Sequence, residues 1–112
     1  MFKYIVIICV LPFLLSCEQT VDVKSGTIYV KNNSVFTSIG TVNVEPTGHS
    51  DWGVNRLDNS YLGTTTTISI TDLMPCDTHW DLRAIFSDGQ IRKVIGTWLS
   101  CGGSVSWDVN HF

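Results

Sequence analysis

An all-β fold is predicted by three features of this chain. Apolar and polar residues alternate in short runs, turn-forming residues separate those runs, and no helical periodicity follows the N-terminal apolar stretch. Six or seven short strands fit a small antiparallel β-sandwich with one disulfide, or else a small barrel. Composition agrees: beyond Ser16 the chain is rich in Thr, Ser, Asn, Gly and β-branched residues, which suit a pleated, half-buried surface.

The elements follow in order. Gly26 opens the folded part, Thr27-Ile28-Tyr29-Val30-Lys31 alternates as a strand, and Asn32-Asn33-Ser34 supplies a turn. Thr37 to Val44 forms a second extended segment with Ile39, Val42 and Val44 facing the core, and the broken alternation at Gly40-Thr41 signals a bulge or bend. A turn-rich loop, Glu45 to Asp51, leads to Trp52-Gly53-Val54-Asn55-Arg56-Leu57, where a short strand is expected. After a polar loop ending at Gly63, Thr64 to Ile70 alternates again with Thr66, Ile68 and Ile70 on one face.

His79 to Phe86 places Trp80, Leu82, Ala84 and Phe86 on one face and His79, Asp81, Arg83 and Ile85 on the other. Ser87-Asp88-Gly89-Gln90 marks a hairpin, because Asp-Gly suits the positive φ angles of a type I′ turn. Ile91 to Trp98 returns from it. After Cys101-Gly102-Gly103 a last strand, Ser104 to Val109, turns Val105, Trp107 and Val109 inward.

The N-terminus carries an address. Lys3 precedes an apolar run, Tyr4 to Leu15, within the ~7–15 residues of a signal-peptide h-region and too short to span a bilayer. Leu14-Leu15-Ser16-Cys17 resembles the bacterial lipobox, in which the Cys sulfur takes a diacylglyceryl group and the chain is cut just before it. That resemblance implies a lipoprotein signal peptide over 1–16, a lipidated Cys17 with a tether over 17–25, and a β domain over 26–112. A plain secretory signal is the alternative. Glu18 is not the Asp that retains enteric lipoproteins at the inner membrane, so the expected place is the outer membrane of a bacterial envelope. Loss of Lys3 leaves six Lys and Arg against ten Asp and Glu, a net charge of −4. With no basic stripe, nucleic acid is not an expected partner.

Cys9 lies in the signal and Cys17 is assigned to lipid, which leaves Cys76 and Cys101 to pair in an oxidising compartment. Closing a loop of about 26 residues stabilises a fold by about 3–4 kcal/mol on the chain-entropy argument. A metal pair or reactive thiol is the competing reading, and neither has a Cys-x-x-Cys spacing or a flanking ligand cluster.

From Thr27 to Cys101 the chain resembles a group of small secreted bacterial domains without an assigned function. The features that carry the resemblance are Ile28-Tyr29-Val30-Lys31-Asn32, Pro46-Thr47-Gly48, Trp52-Gly53-Val54-Asn55-Arg56-Leu57, Cys76, Asp81-Leu82-Arg83-Ala84-Ile85-Phe86-Ser87-Asp88-Gly89 and Cys101. It implies a compact β domain with one disulfide, and no reaction, cofactor or ligand.

Candidate chemistry is sparse. His49-Ser50-Asp51 has the residue types of a triad, but adjacent residues do not converge as nucleophile, base and orienter, and a polar turn is the expected role. His49, His79 and His111 lack metal-ligand spacing, and His111 stands near a terminus expected to fray. Asp81 and Arg83, two apart on a strand, share a face; they are read as a structural clasp that fixes the Trp52–Asn55 loop, with a ligand site as the alternative. Trp80 and Trp107 are expected in the core. Trp52, Asn55 and Arg56 form the candidate binding set, for a protein surface or a sugar. The expected function is therefore a lipid-anchored, non-enzymatic module of the envelope that binds a protein partner; glycan or small-ligand binding through Trp52 and its loop is the alternative. Membrane contact is expected through lipid on Cys17, with no cofactor and no metal.

Overall fold

In the computed structural model the described residues are 24–112, with the backbone of 8–11 and 15–18. Strands β1 (Ile8–Leu11) and β2 (Leu15–Glu18) pair antiparallel. The side chain of Cys17 and the tether residues 19–23 lie outside the described residues. Six strands build the domain: β3 (Gly26–Asn32), β4 (Ile39–Pro46), β5 (Thr67–Leu73), β6 (Thr78–Phe86), β7 (Ile91–Leu99) and β8 (Ser104–Val109). They form two three-stranded sheets, β5-β3-β8 and β4-β6-β7, with the apolar core between them.

The sandwich is not wholly antiparallel. β4-β6-β7 is, but β3 pairs antiparallel with β5 and parallel with β8. Its cause is the route of the chain. β7 ends beside the start of β3, so β8 leaves from that end, with Thr27 N donating to Gly103 O at 3.1 Å, and must run in β3's direction.

The inward face of β6 holds as expected, with Trp80, Leu82, Ala84 and Phe86 all buried against Ile28, Val30 and Val42. Val109 is buried, whereas Val105 and Trp107 are only partly covered because β8 is an edge strand. The predicted irregularity at Gly40 is a register shift between Ile39 and Thr41. Cys76 and Cys101 form the disulfide, with Cα atoms 4.8 Å apart.

Local expectations fail where backbone conformation overrides alternation. Trp52–Leu57 forms no strand: Trp52 and Gly53 have φ of 47° and 65°, in the left-handed region that an extended strand excludes. The β6-β7 turn is not type I′, since Gly89 (φ 94°) is the one loop residue with positive φ. Instead Phe86 N donates to Gln90 O and Gly89 N to Phe86 O, the pattern of a three-residue loop with glycine in the αL position. β5 starts at Thr67 rather than Thr64, after Thr65 at φ 59°.

The C-terminal residues are hydrogen-bonded to the body of the domain. Asn33 N donates to Val109 O, Arg92 Nε to Asn110 O at 2.8 Å, and Phe112 N to Gln90 Oε1 at 2.8 Å. Asn32, fully buried at the end of β3, organises the same end of the molecule. Its Nδ2 donates to Thr37 O and Leu62 O while its Oδ1 accepts from Ser34 N.

Candidate functional site

The segment Trp52–Leu57 lies along the free edge of β4. Asn55 fixes it there: its Oδ1 accepts from Val42 N and Leu57 N, both at 3.0 Å, and its Nδ2 donates to Gly40 O at 3.1 Å. Arg56 N adds a bond to Val42 O at 2.7 Å, and the rest of Arg56 is exposed. Asn55 is thus consumed in covering an edge that would otherwise template strand addition. Of the candidate binding set, Asn55 is structural, Arg56 is exposed and Trp52 is half-buried.

Arg83 and Asp81 lie on the outward side of β6, opposite Asn43 and Glu45 on β4. Arg83 Nε and Nη2 donate to Asn43 Oδ1, Asn43 Nδ2 donates to Val54 O, and the guanidinium sits 4.9 Å from the Trp52 ring centroid. Asp81 engages other partners. Its Oδ1 accepts from Thr47 Oγ1 at 2.6 Å and from Gly96 N at 3.0 Å, where the β6-β7 register shifts. Arg83 therefore holds the Trp52 loop, and Asp81 holds the Thr47 turn against β7. Glu45 is buried beside Asp81 in register, and among the described residues its Oε1 has no hydrogen-bond partner.

His49, Ser50 and Asp51 are exposed in the loop, and Asp51 Oδ1 accepts from Gly53 N at 3.2 Å, as in a polar turn. His79 meets the Trp98 ring edge-on at 5.1 Å, near the start of β6. His111 sits at the opposite end, its Nε2 2.7 Å from Asp88 Oδ2 and its ring edge-on to Phe86. Among the described residues no group of three or more His, Cys, Asp or Glu is placed to hold a metal ion.

A shallow cleft of about 210 Å³ runs between β7 and β8, lined by Arg92, Lys93, Trp107, Asp108, Val109 and Asn110. It is smaller than the ~300–1,000 Å³ of ordinary ligand pockets.

The larger feature escaped the sequence reading. At the end of β3 remote from Gly26, three segments meet through Asn33 Nδ2 donating to Asn110 Oδ1, Ser87 N donating to Ser38 O, and Phe112 N donating to Gln90 Oε1. They expose Val35, Phe36 (86% exposed), Ile91 and Phe112 (84%), and Tyr61 stands exposed beside Gly40 at the start of β4. The signal available was Val35-Phe36, two large apolar residues set between polar turn residues.

Comparison with known proteins finds no matching family model, no matching curated protein and no matching solved structure.

Proposed function

We propose that this protein is a lipid-anchored, non-enzymatic interaction module of the bacterial cell envelope, binding a protein partner through the pole remote from its N-terminal entry. The observation that carries this reading is the exposure of Val35, Phe36 and Phe112 on segments held in place by hydrogen bonds. Rigid, exposed aromatic and aliphatic side chains bury apolar area on docking at little entropic cost. The anchor rests on the lipobox at Cys17, and the outer membrane is its proposed site. β3 runs from the entry to this pole, so its seven residues hold the surface roughly 20 Å further from the lipid than the point of entry. Glycan stacking on Trp52 has weaker support, because that side chain is half-buried in its loop, whereas Phe112 stays largely exposed even with Arg92 over its ring.

The test is crosslinking in cells with a photoreactive residue at Phe36, at Trp52 or, as control, at Lys24. A discrete protein adduct from position 36, absent from position 24, is expected. An adduct from position 52 alone would transfer the interface to the Trp52 loop. Folded, membrane-bound protein with no adduct from 36 would remove the distal pole from the account.

A further inference from the structure

The opposite pole, where the chain enters, has its own exposed apolar side chains. Ser25 O accepts from Gly102 N at 2.8 Å, and Lys24 O lies 3.2 Å from Cys76 Sγ. Gly26 is in register with Leu73, directly before Met74, and His79 is in register with Trp98. Asp77 N donates to Leu99 O, which closes this end around the disulfide. Met74 is 56% exposed and Trp98 51% exposed, and the edge-on His79 ring supports the indole. Two large apolar side chains thus flank the point at which the tether meets the domain.

We infer that this entry pole is a second membrane contact, with Trp98 and Met74 resting in the interface of a zwitterionic lipid bilayer. The inference rests on the lipid anchor proposed above. From Cys17 to Lys24 the chain spans at most about 25 Å even when fully extended. Lipid on Cys17 would therefore hold this pole, rather than the distal one, beside the bilayer, where a short tether makes even a weak contact effectively intramolecular. An indole with a wet edge and an apolar body favours the headgroup level. Charge selects the lipid class: the pole carries Asp77 against Lys24 with no surplus of cations, and the mature chain is acidic, so anionic headgroups are disfavoured. Contact at this end also leaves Val35, Phe36 and Phe112 facing away from the membrane.

The experiment uses the full chain matured in cells and reconstituted into phosphatidylcholine vesicles, with or without bromine on the acyl chains near the ester linkages. Trp98→Phe and Trp52→Phe are compared with the parent protein, and intact mass reports the diacylglyceryl group on Cys17. Bromolipid quenching of tryptophan emission is expected in the parent and in Trp52→Phe, and is expected to be lost in Trp98→Phe. Trp98 is exposed, so its replacement leaves the core intact, which circular dichroism checks. Lipidated, vesicle-bound protein whose quenching is the same with and without Trp98 would overturn the contact while the anchor stands. An unmodified Cys17 would overturn the anchor, and the contact with it.

Discussion

Arg83 donates from both Nε and Nη2 to a single acceptor, Asn43 Oδ1, at 3.0 and 2.8 Å. This orients the Asn43 carboxamide so that its Nδ2 reaches Val54 O, while the guanidinium covers Trp52. One cation thereby holds a loop through a neutral intermediary. Replacing Arg83 by Met keeps the stem but leaves Asn43 Oδ1 without its donors. The expected loss is about 1.5–3 kcal/mol, the range for hydrogen bonds to a charged group. Urea denaturation measures it, and the Trp52 contribution to emission should shift red. An unchanged midpoint would mean that Asn55 alone secures the loop.

Asn55 makes three hydrogen bonds to backbone groups, to Val42, Leu57 and Gly40. At roughly 1 kcal/mol each, Asn55→Ala should cost about 3 kcal/mol. It should also uncover the β4 edge and promote self-association, visible by sedimentation. Arg56→Ala is the contrast. Among the described residues only its backbone is bonded, so the change should stay within about 0.5 kcal/mol. Equal losses at the two positions would contradict this division between Asn55 and Arg56.

The division explains which parts of the molecule were legible in the sequence. Alternation located β3, β6, β7 and β8, because each buries one face and the period of two is imposed by the pleat. The pairing of Cys76 with Cys101 followed from the cysteine count and the absence of metal-ligand spacing, together with an expected oxidising compartment. What alternation could not carry was anything fixed by side chain to backbone bonds or by left-handed φ. Trp52, Thr65 and Asp77 adopt positive φ, which no periodicity reports, so from sequence the Trp52 segment resembles a strand. The clasp was half legible. Arg83 does reach the Trp52 loop, but Asp81 turned to Thr47 and Gly96 because a β-bulge brought Gly96 N to it. The parallel β3-β8 pair and the distal apolar pole depend on contacts between segments far apart in the chain.

Asp88 offers a test in pH. The Gln90 backbone N–H holds its carboxyl below the ordinary value of 3.8, and the hydrogen bond from His111 lowers it further. A carboxyl depressed in the folded state contributes stability that is present above its unfolded value and is lost as pH falls through the folded value. Asp88→Asn retains an acceptor for Gln90 N but cannot ionise. The parent should therefore exceed the variant in urea midpoint at neutral pH, and the gap should close as pH drops below 3.8. A gap independent of pH across that interval would show that the C-terminal residues are held by Arg92 and Gln90 without help from the Asp88 charge.

Gly26 opens β3 for a steric reason. Its φ is not positive, yet a Cβ built there would lie 2.5–2.8 Å from three side-chain carbons of Leu99, itself fully buried. The two residues belong to facing sheets, β3 and β7, at the end closed by the disulfide. Gly26→Ala pushes the added methyl into packed carbon, and overpacking of this size costs about 1–3 kcal/mol. The alternative account is that Gly26 is required for chain flexibility at the junction with the tether. Leu99→Val separates the two. If the requirement is steric, shortening the facing side chain makes room, and Gly26→Ala should cost less in the Leu99→Val background than in the parent. Such a coupling is measured by a double-mutant cycle on urea midpoints. Strict additivity would reject the steric account and return Gly26 to a conformational role.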